Sequence, residues 1–124
     1  MGRTWLKRVD VRKMSPTESA WLAGMIDGEG TICLTAGGRG GKYAQLILAV
    51  YNNHKPTVEW CQKLAGTGSV SMKPMRGRLN PSYQWRVTSQ RAVIGVLRQS
   101  VPFMVTKKDK AVALLDSWQD IVDP

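Results

Sequence analysis

The sequence predicts an α+β fold, an antiparallel four-stranded sheet with helices packed on one of its faces. Three observations predict it. Alternation of apolar and polar residues with a period of two recurs in two pairs of short segments. A helical segment follows each pair, opened by Pro56 in one case and Ser89 in the other. A leading helix and a trailing helix complete the order α-β-β-α-β-β-α-α, in which two similar hairpin-helix units share one layer.

Each element has a local cause. Ser15-Pro16-Thr17-Glu18 opens the first helix: Ser15 caps, Pro16 suits the first turn, and Glu18 completes a capping box. The helix is expected to run to about Asp27, with Gly28 and Gly30 ending it. Thr31 to Ala36 reads as a strand, Gly37-Gly38-Arg39-Gly40-Gly41 as a hairpin tip, and Tyr43 to Asn52 as the returning strand. Alternation puts Ala44, Leu46, Leu48 and Val50 on one face and Tyr43, Gln45, Ile47 and Ala49 on the other. A helix follows Pro56 and ends near Gly66. Ser69 to Met75 is the third strand, Arg76 to Ser82 a turn, and Tyr83 to Thr88 the fourth strand. Ser89 caps a helix through about Gln99, Pro102 breaks the chain, and a last helix runs from about Lys107 to Ile121. Residues 15–124 then form a single domain behind a basic N-terminal extension, 1–14.

Composition narrows the function. With 124 residues and 43% apolar content the chain suits one ordinary globular domain. Eighteen Lys and Arg against nine Asp and Glu leave a net charge of +9, which points to a polyanionic partner, nucleic acid first. No segment approaches the roughly 20 apolar residues that span a bilayer, and Met1 to Met14 has no apolar run of signal-peptide length. Cys33 and Cys61 lack metal-ligand spacing and read as free thiols, so the expected location is intracellular, in a reducing cytoplasm or organelle matrix. The sheet face away from the helices carries Gln45, Ser69, Ser71, Lys73, Gln84 and Arg86. On so basic a chain this polar face suits a DNA groove, with a merely solvated face as the alternative.

The informative stretch is Leu22-Ala23-Gly24-Met25-Ile26-Asp27-Gly28-Glu29-Gly30. Asp27 and Glu29 stand at a helix C-terminus, where the macrodipole disfavours carboxylates. Unpaired carbonyls collect at the same place, and such an oxygen-rich end suits a hard cation. A local rule broken without compensation marks function more often than chance. Ala20, Ala23 and Gly24 are small residues that allow close approach of a second helix, and the chain holds one copy of the motif.

Leu22 to Gly30 resembles the motif of the LAGLIDADG homing endonucleases and is identical to it at six of nine positions. Met25, Gly28 and Glu29 stand where the family motif has Leu, Ala and Asp. The element order also resembles the family fold, αββαββα with a saddle-shaped sheet, so the resemblance covers nearly the whole chain after Ser15. It implies a site-specific double-stranded DNA endonuclease. Members with one motif are homodimers with long pseudo-palindromic targets, which would place Ala20, Ala23, Gly24 and Asp27 at the dimer interface. Glu29 and the Gly28 carbonyl would hold Mg²⁺ or Mn²⁺, with Ca²⁺ supporting binding but not cleavage, and Asp27 would be structural. Lys107, or Lys108 beside it, corresponds to the family's active-site lysine. Asn52, with Asn53 next, corresponds to the polar residue that ends the second strand. Expected DNA contacts are Thr31, Cys33, Thr35, Arg39, Tyr43, Gln45, Ile47, Lys55, Ser69, Ser71, Lys73, Gln84 and Arg86. Cleavage would leave short 3′ overhangs and serve intron or intein mobility. The alternatives are a DNA- or RNA-binding module of the same fold, a maturase or regulator without cleavage, and a small RNA-binding protein using its GGRGG tip. The lone His54 has no second histidine to make a histidine nuclease.

Overall fold

The computed structural model describes residues 11–37, 43–73 and 81–122, with side chains placed for 11–34, 45–73 and 81–117. The first helix, α1 (Pro16–Glu29), begins as expected: the Glu18 N–H donates to Ser15 Oγ at 3.2 Å, and the Ser15 N–H donates to Glu18 Oε1 at 2.9 Å. It continues one turn fraction further than expected. Gly28 is helical, Glu29 is the last helical residue, and the chain turns into β1 (Gly30–Gly37) at Gly30. The reason is steric. A Cβ on Gly30 would lie 2.8 Å from the Ile26 carbonyl oxygen and 3.2 Å from that of Ala49, so only glycine lets helix and strand meet directly here. Nothing crowds Gly28, which has no part in the turn.

β2 (Tyr43–Asn52) returns antiparallel to β1, then α2 (Lys55–Ala65) ends at Gly66, whose φ of 69° is the left-handed cap that favours glycine. β3 (Ser69–Lys73) and β4 (Ser82–Val87) form the second hairpin, whose expected turn falls largely on residues 74–80, outside the described residues. α3 (Gln90–Ser100) is capped by Ser89, and a 3₁₀ turn at Val101–Phe103 takes up the Pro102 break before α4 (Lys108–Val122). The sheet order is β1-β2-β4-β3, all antiparallel.

Helices cover one face of the sheet. Leu22 and Ile26 of α1, Val58 and Leu64 of α2, and Val93, Ile94 and Leu97 of α3 pack against Ile32, Leu46, Leu48, Val50, Trp85 and Val87. Trp85 is fully buried, and its indole N–H donates to the Thr67 carbonyl at 2.9 Å, so its one polar atom is satisfied. The folded unit also begins earlier than Ser15. Met14 is buried in the core, its N–H donates to Gln99 Oε1 at 2.7 Å, and the Arg12 N–H donates to the Ala65 carbonyl at 2.7 Å. The Arg12 guanidinium pairs with Glu18 at 2.9 Å, holding that carboxyl below its usual range. Residues 11–14 thus tie the starts and ends of three helices together and belong to the domain.

Candidate active site

The motif helix α1 is apolar on two sides. Ser19, Leu22, Ala23 and Ile26 face the core. Thr17, Ala20, Trp21, Gly24 and Gly28 lie along the opposite stripe and are exposed. Ala23 is therefore removed from the expected interface: it stands one turn from both Ser19 and Ile26, on the buried side. Ala20 and Gly24 remain outside, and a Cβ on Gly24 would meet nothing within 4 Å.

The exposed stripe ends at Glu29. The Asn52 amide, at the end of β2, donates from Nδ2 to Glu29 Oε2 at 2.6 Å. Its Oδ1 accepts the His54 N–H at 2.8 Å, which settles which end of the amide faces the carboxylate. Among the described residues Glu29 is held through one oxygen, Oε2. The His54 ring leans on Thr57 Oγ1 at 2.8 Å, and Lys55 opens α2 in the open beside it. The role of the His54 backbone was not expected from the sequence, though Asn-Asn-His-Lys-Pro carries the signal of an Asx turn.

Asp27 and Lys107 form a second cluster at the same helix end. Asp27 Oδ2 accepts the Val105 N–H at 2.7 Å and Oδ1 the Lys107 N–H at 3.0 Å. Lys107 Nζ donates to the Asp27 carbonyl at 2.7 Å. Partial burial opposes ionisation of Asp27, but the amides of Lys107, Val105 and Thr106 and the lysine charge outweigh it and lower its pKa. These bonds tie the Asp27 carboxylate to the 105–107 loop of its own chain. Lys107 precedes α4 instead of beginning it, and Lys108 is exposed. Behind the site, burial first and the Glu29 charge further down push the Cys61 thiol up to about 12.

The donor set suits a hard cation. Glu29 Oε1 and the Gly28 carbonyl, in a last turn whose carbonyls have no helical partner, are oxygen ligands of the kind Mg²⁺ takes. Among the described residues no group of three or more His, Cys, Asp or Glu comes together.

The register collects the expected nucleic-acid contacts on the uncovered sheet face. Directly paired residues share a face, and Thr31, Ala49, Arg86 and Ser69 form one row across all four strands. Cys33 and Ile47 pair on the same side, as do Tyr51, Gln84 and Ser71, and Lys73 follows two residues on. Thr35 pairs Gln45 and Tyr43 pairs Gly37 in backbone register; the side chains of Thr35 and Tyr43, and Arg39 entirely, lie outside the described residues. Thr31, Ser69, Ser71, Lys73 and Arg86 are exposed and Cys33 and Gln45 half-buried. Ile47 and Gln84 are buried, at 7% and 8% exposure, because both stand on inner strands with neighbours on either side. Arg86 is exposed and is flanked in register by the small Ala49 and Ser69.

Several solved structures share this architecture. The homing endonuclease I-CvuI, in complex with its target, matches with a TM-score of 0.72 at 21% identity, over 87% of this chain and 69% of that one. The group I intron-encoded homing endonuclease I-CeuI, complexed with DNA, gives 0.65 at 19% identity, over 96% of this chain and 61% of that one. The LAGLIDADG meganuclease I-CpaMI, bound to uncleaved DNA, gives 0.60 at 20% identity, over 89% of this chain but 37% of that one. No protein-family model matches the sequence, and no curated protein does. With its four-stranded open sheet and its motif helix, the chain has the fold of the LAGLIDADG homing endonucleases.

Proposed function

We propose that the chain is a site-specific homing endonuclease of the LAGLIDADG family, half of a homodimer that cuts both strands of a long pseudo-palindromic DNA target. The observation that carries this reading is Glu29: an exposed carboxylate, oriented by Asn52, at the end of a helix that is apolar on its outer side as well as its inner one. Exposed Ala20, Trp21 and Gly24 opposite the buried face of α1 suit a second partner. A second copy of α1 on the Ala20–Gly24 stripe would bring two Glu29 carboxylates together and complete the half set of oxygen donors. The solved structures of I-CeuI and I-CpaMI named above hold DNA, and the net charge of +9 suits the same partner.

Mg²⁺ or Mn²⁺ held by Glu29 and the Gly28 carbonyl would supply an activated water and stabilise the leaving oxygen; Ca²⁺ would support binding alone. The chain's own residues do the rest. Asn52 keeps Glu29 in one orientation. Lys107, anchored at the same helix end, offsets charge on the phosphate as it becomes pentavalent. The exposed face with Arg86, Lys73, Ser69 and Ser71 reads and positions the duplex. The product is a double-strand break with short 3′ overhangs. Both cysteines are free, which fits a reducing intracellular compartment.

The test is cleavage of a plasmid that carries the uninterrupted form of the site flanking the chain's own coding element. Glu29→Gln abolishes Mg²⁺-dependent cleavage and keeps specific DNA binding within about tenfold, roughly 1.4 kcal/mol. Full cleavage by Glu29→Gln in Mg²⁺ rejects the ligand assignment. Tight, specific binding by a wild type that never cleaves identifies a binding module instead.

A further inference from the structure

Lys107 stands at the N-cap of α4, where its carbonyl accepts the Ala111 N–H at 2.9 Å, the first bond of that helix. Lysine is a poor residue for this place. Its ammonium group has donors only and cannot accept the free amide protons of a first turn. The Asp27 carboxylate at the end of α1 takes instead the N–H of the cap residue Lys107 itself and of Val105 before it. The lysine returns the contact, with Nζ on the Asp27 carbonyl, one of the last carbonyls that α1 leaves without an N–H partner. An anion thus sits at the positive end of α4 and a cation at the negative end of α1, each the favoured sign. A Ser or Asp at position 107 would cap α4 locally with no long-range partner. The chain instead keeps a lysine there, its backbone N–H held by the Asp27 carboxylate.

We propose that Asp27 is a positioning residue, acting through Lys107: its carboxylate clasps the 105–107 loop so that the Lys107 ammonium is held at the Glu29 end of α1. The proposal rests on the reading of Lys107 as the lysine that faces the scissile phosphate. The ammonium has three donors, one of them on the Asp27 carbonyl, so two remain for phosphate oxygens. Without the carboxylate the loop amides turn to water and the long side chain regains its rotamers. The lysine then remains in the protein but is no longer delivered to one point.

Single-turnover cleavage and target affinity are measured for wild type, Asp27→Asn, Asp27→Ala, Lys107→Ala and the Asp27→Ala/Lys107→Ala double variant. Asp27→Ala should slow the cleavage step about 10–100-fold, the range for residues that orient a reacting group, with DNA affinity within about threefold. Asp27→Asn, which keeps one acceptor, should fall between the two. The double variant should be no more than about threefold slower than Lys107→Ala, because Asp27 has then lost the group it acts through. Full-rate cleavage by Asp27→Ala overturns the proposal, and so does an equal slowing by Asp27→Ala with and without Lys107. If Asp27→Ala does not fold, Asp27→Asn carries the same cycle. Amide hydrogen exchange keeps this test separate from the nuclease reading. Exchange at Val105 and Lys107 should quicken at least tenfold in Asp27→Ala, and at one or both of them in Asp27→Asn, while the β2 and β4 amides are unchanged. Unchanged exchange at both positions refutes the clasp whether or not the wild type cuts DNA. Quickened exchange in a protein that cuts nothing supports the clasp and rejects the endonuclease.

Discussion

At the scale of single residues, the site depends on a few close contacts made where α1 meets the sheet. Glu29 is aimed by one bond from Asn52, and Asn52 is aimed in turn by the His54 backbone. Gly30 makes this junction, since any side chain there would run into the Ile26 backbone at 2.8 Å. Backbone atoms cannot swing aside as a flexible side chain can. Gly30→Ala should therefore destabilise the domain by about 1–3 kcal/mol, the usual cost of overpacking, and shift Glu29 away from Asn52. Urea unfolding measures the first effect and cleavage rate the second. A variant as stable and as active as the wild type would show that the junction yields easily. The motif glycines are not alike: Gly24 and Gly28 face open space in the single chain, and Gly30 does not.

At the scale of elements, the sheet does two jobs with one alternation. Leu46, Leu48 and Val50 turn inward while Gln45, Ile47 and Ala49 turn outward, and the outward set lines up with residues of the neighbouring strands. The central row gives Arg86 small neighbours on both sides, Ala49 and Ser69, and Lys73 stands at the rim strand β3. Their roles should differ accordingly. Arg86→Ala should weaken binding and relax base preference at one position by about 1–3 kcal/mol, the value of a good bidentate base contact. Lys73→Ala should weaken binding of all sequences alike and reduce its salt dependence, as a phosphate contact does. Binding titrations against a set of single-base target variants separate the two. If both variants keep wild-type affinity and preference, the DNA lies on another surface.

At the scale of the whole molecule, the two sides of α1 differ in what covers them. The core is closed, yet the stripe of α1 bearing Ala20, Trp21 and Gly24 is uncovered, and Trp21 is 38% exposed. A leucine at position 24 would meet no atom of the same chain within reach of its Cβ. Gly24→Leu should thus leave the fold of one subunit intact and act on the contact between two. Sedimentation at micromolar concentration should find a wild-type dimer, and Gly24→Leu should weaken it by more than about tenfold, ~1.4 kcal/mol, with cleavage lost in step. A wild type that sediments as a 13.8 kDa species, and stays so on its target, would exclude a two-subunit site.

The sequence by itself determined the fold class, the element order, the faces of the strands and the helix caps. These follow from interactions over a few residues: the capping box of Ser15 and Glu18, the period-two alternation of residues 43–50, and the left-handed cap at Gly66. It also placed Glu29, through the motif it resembles, and Asn52, at the end of the second strand, at two chain positions whose types fit one site. The tertiary structure decided what those local rules cannot reach. That Ala23 belongs to the core and not to a partner depends on which side of α1 the sheet occupies. That Ile47 and Gln84 are buried on a polar face depends on the order β1-β2-β4-β3, which puts their strands inside. Above all, the Asp27–Lys107 clasp joins residues 80 positions apart, and no periodicity or spacing links them. Helix ends leave unpaired groups wherever they fall, and only the packed molecule brings the amides of one end to the carboxylate of another.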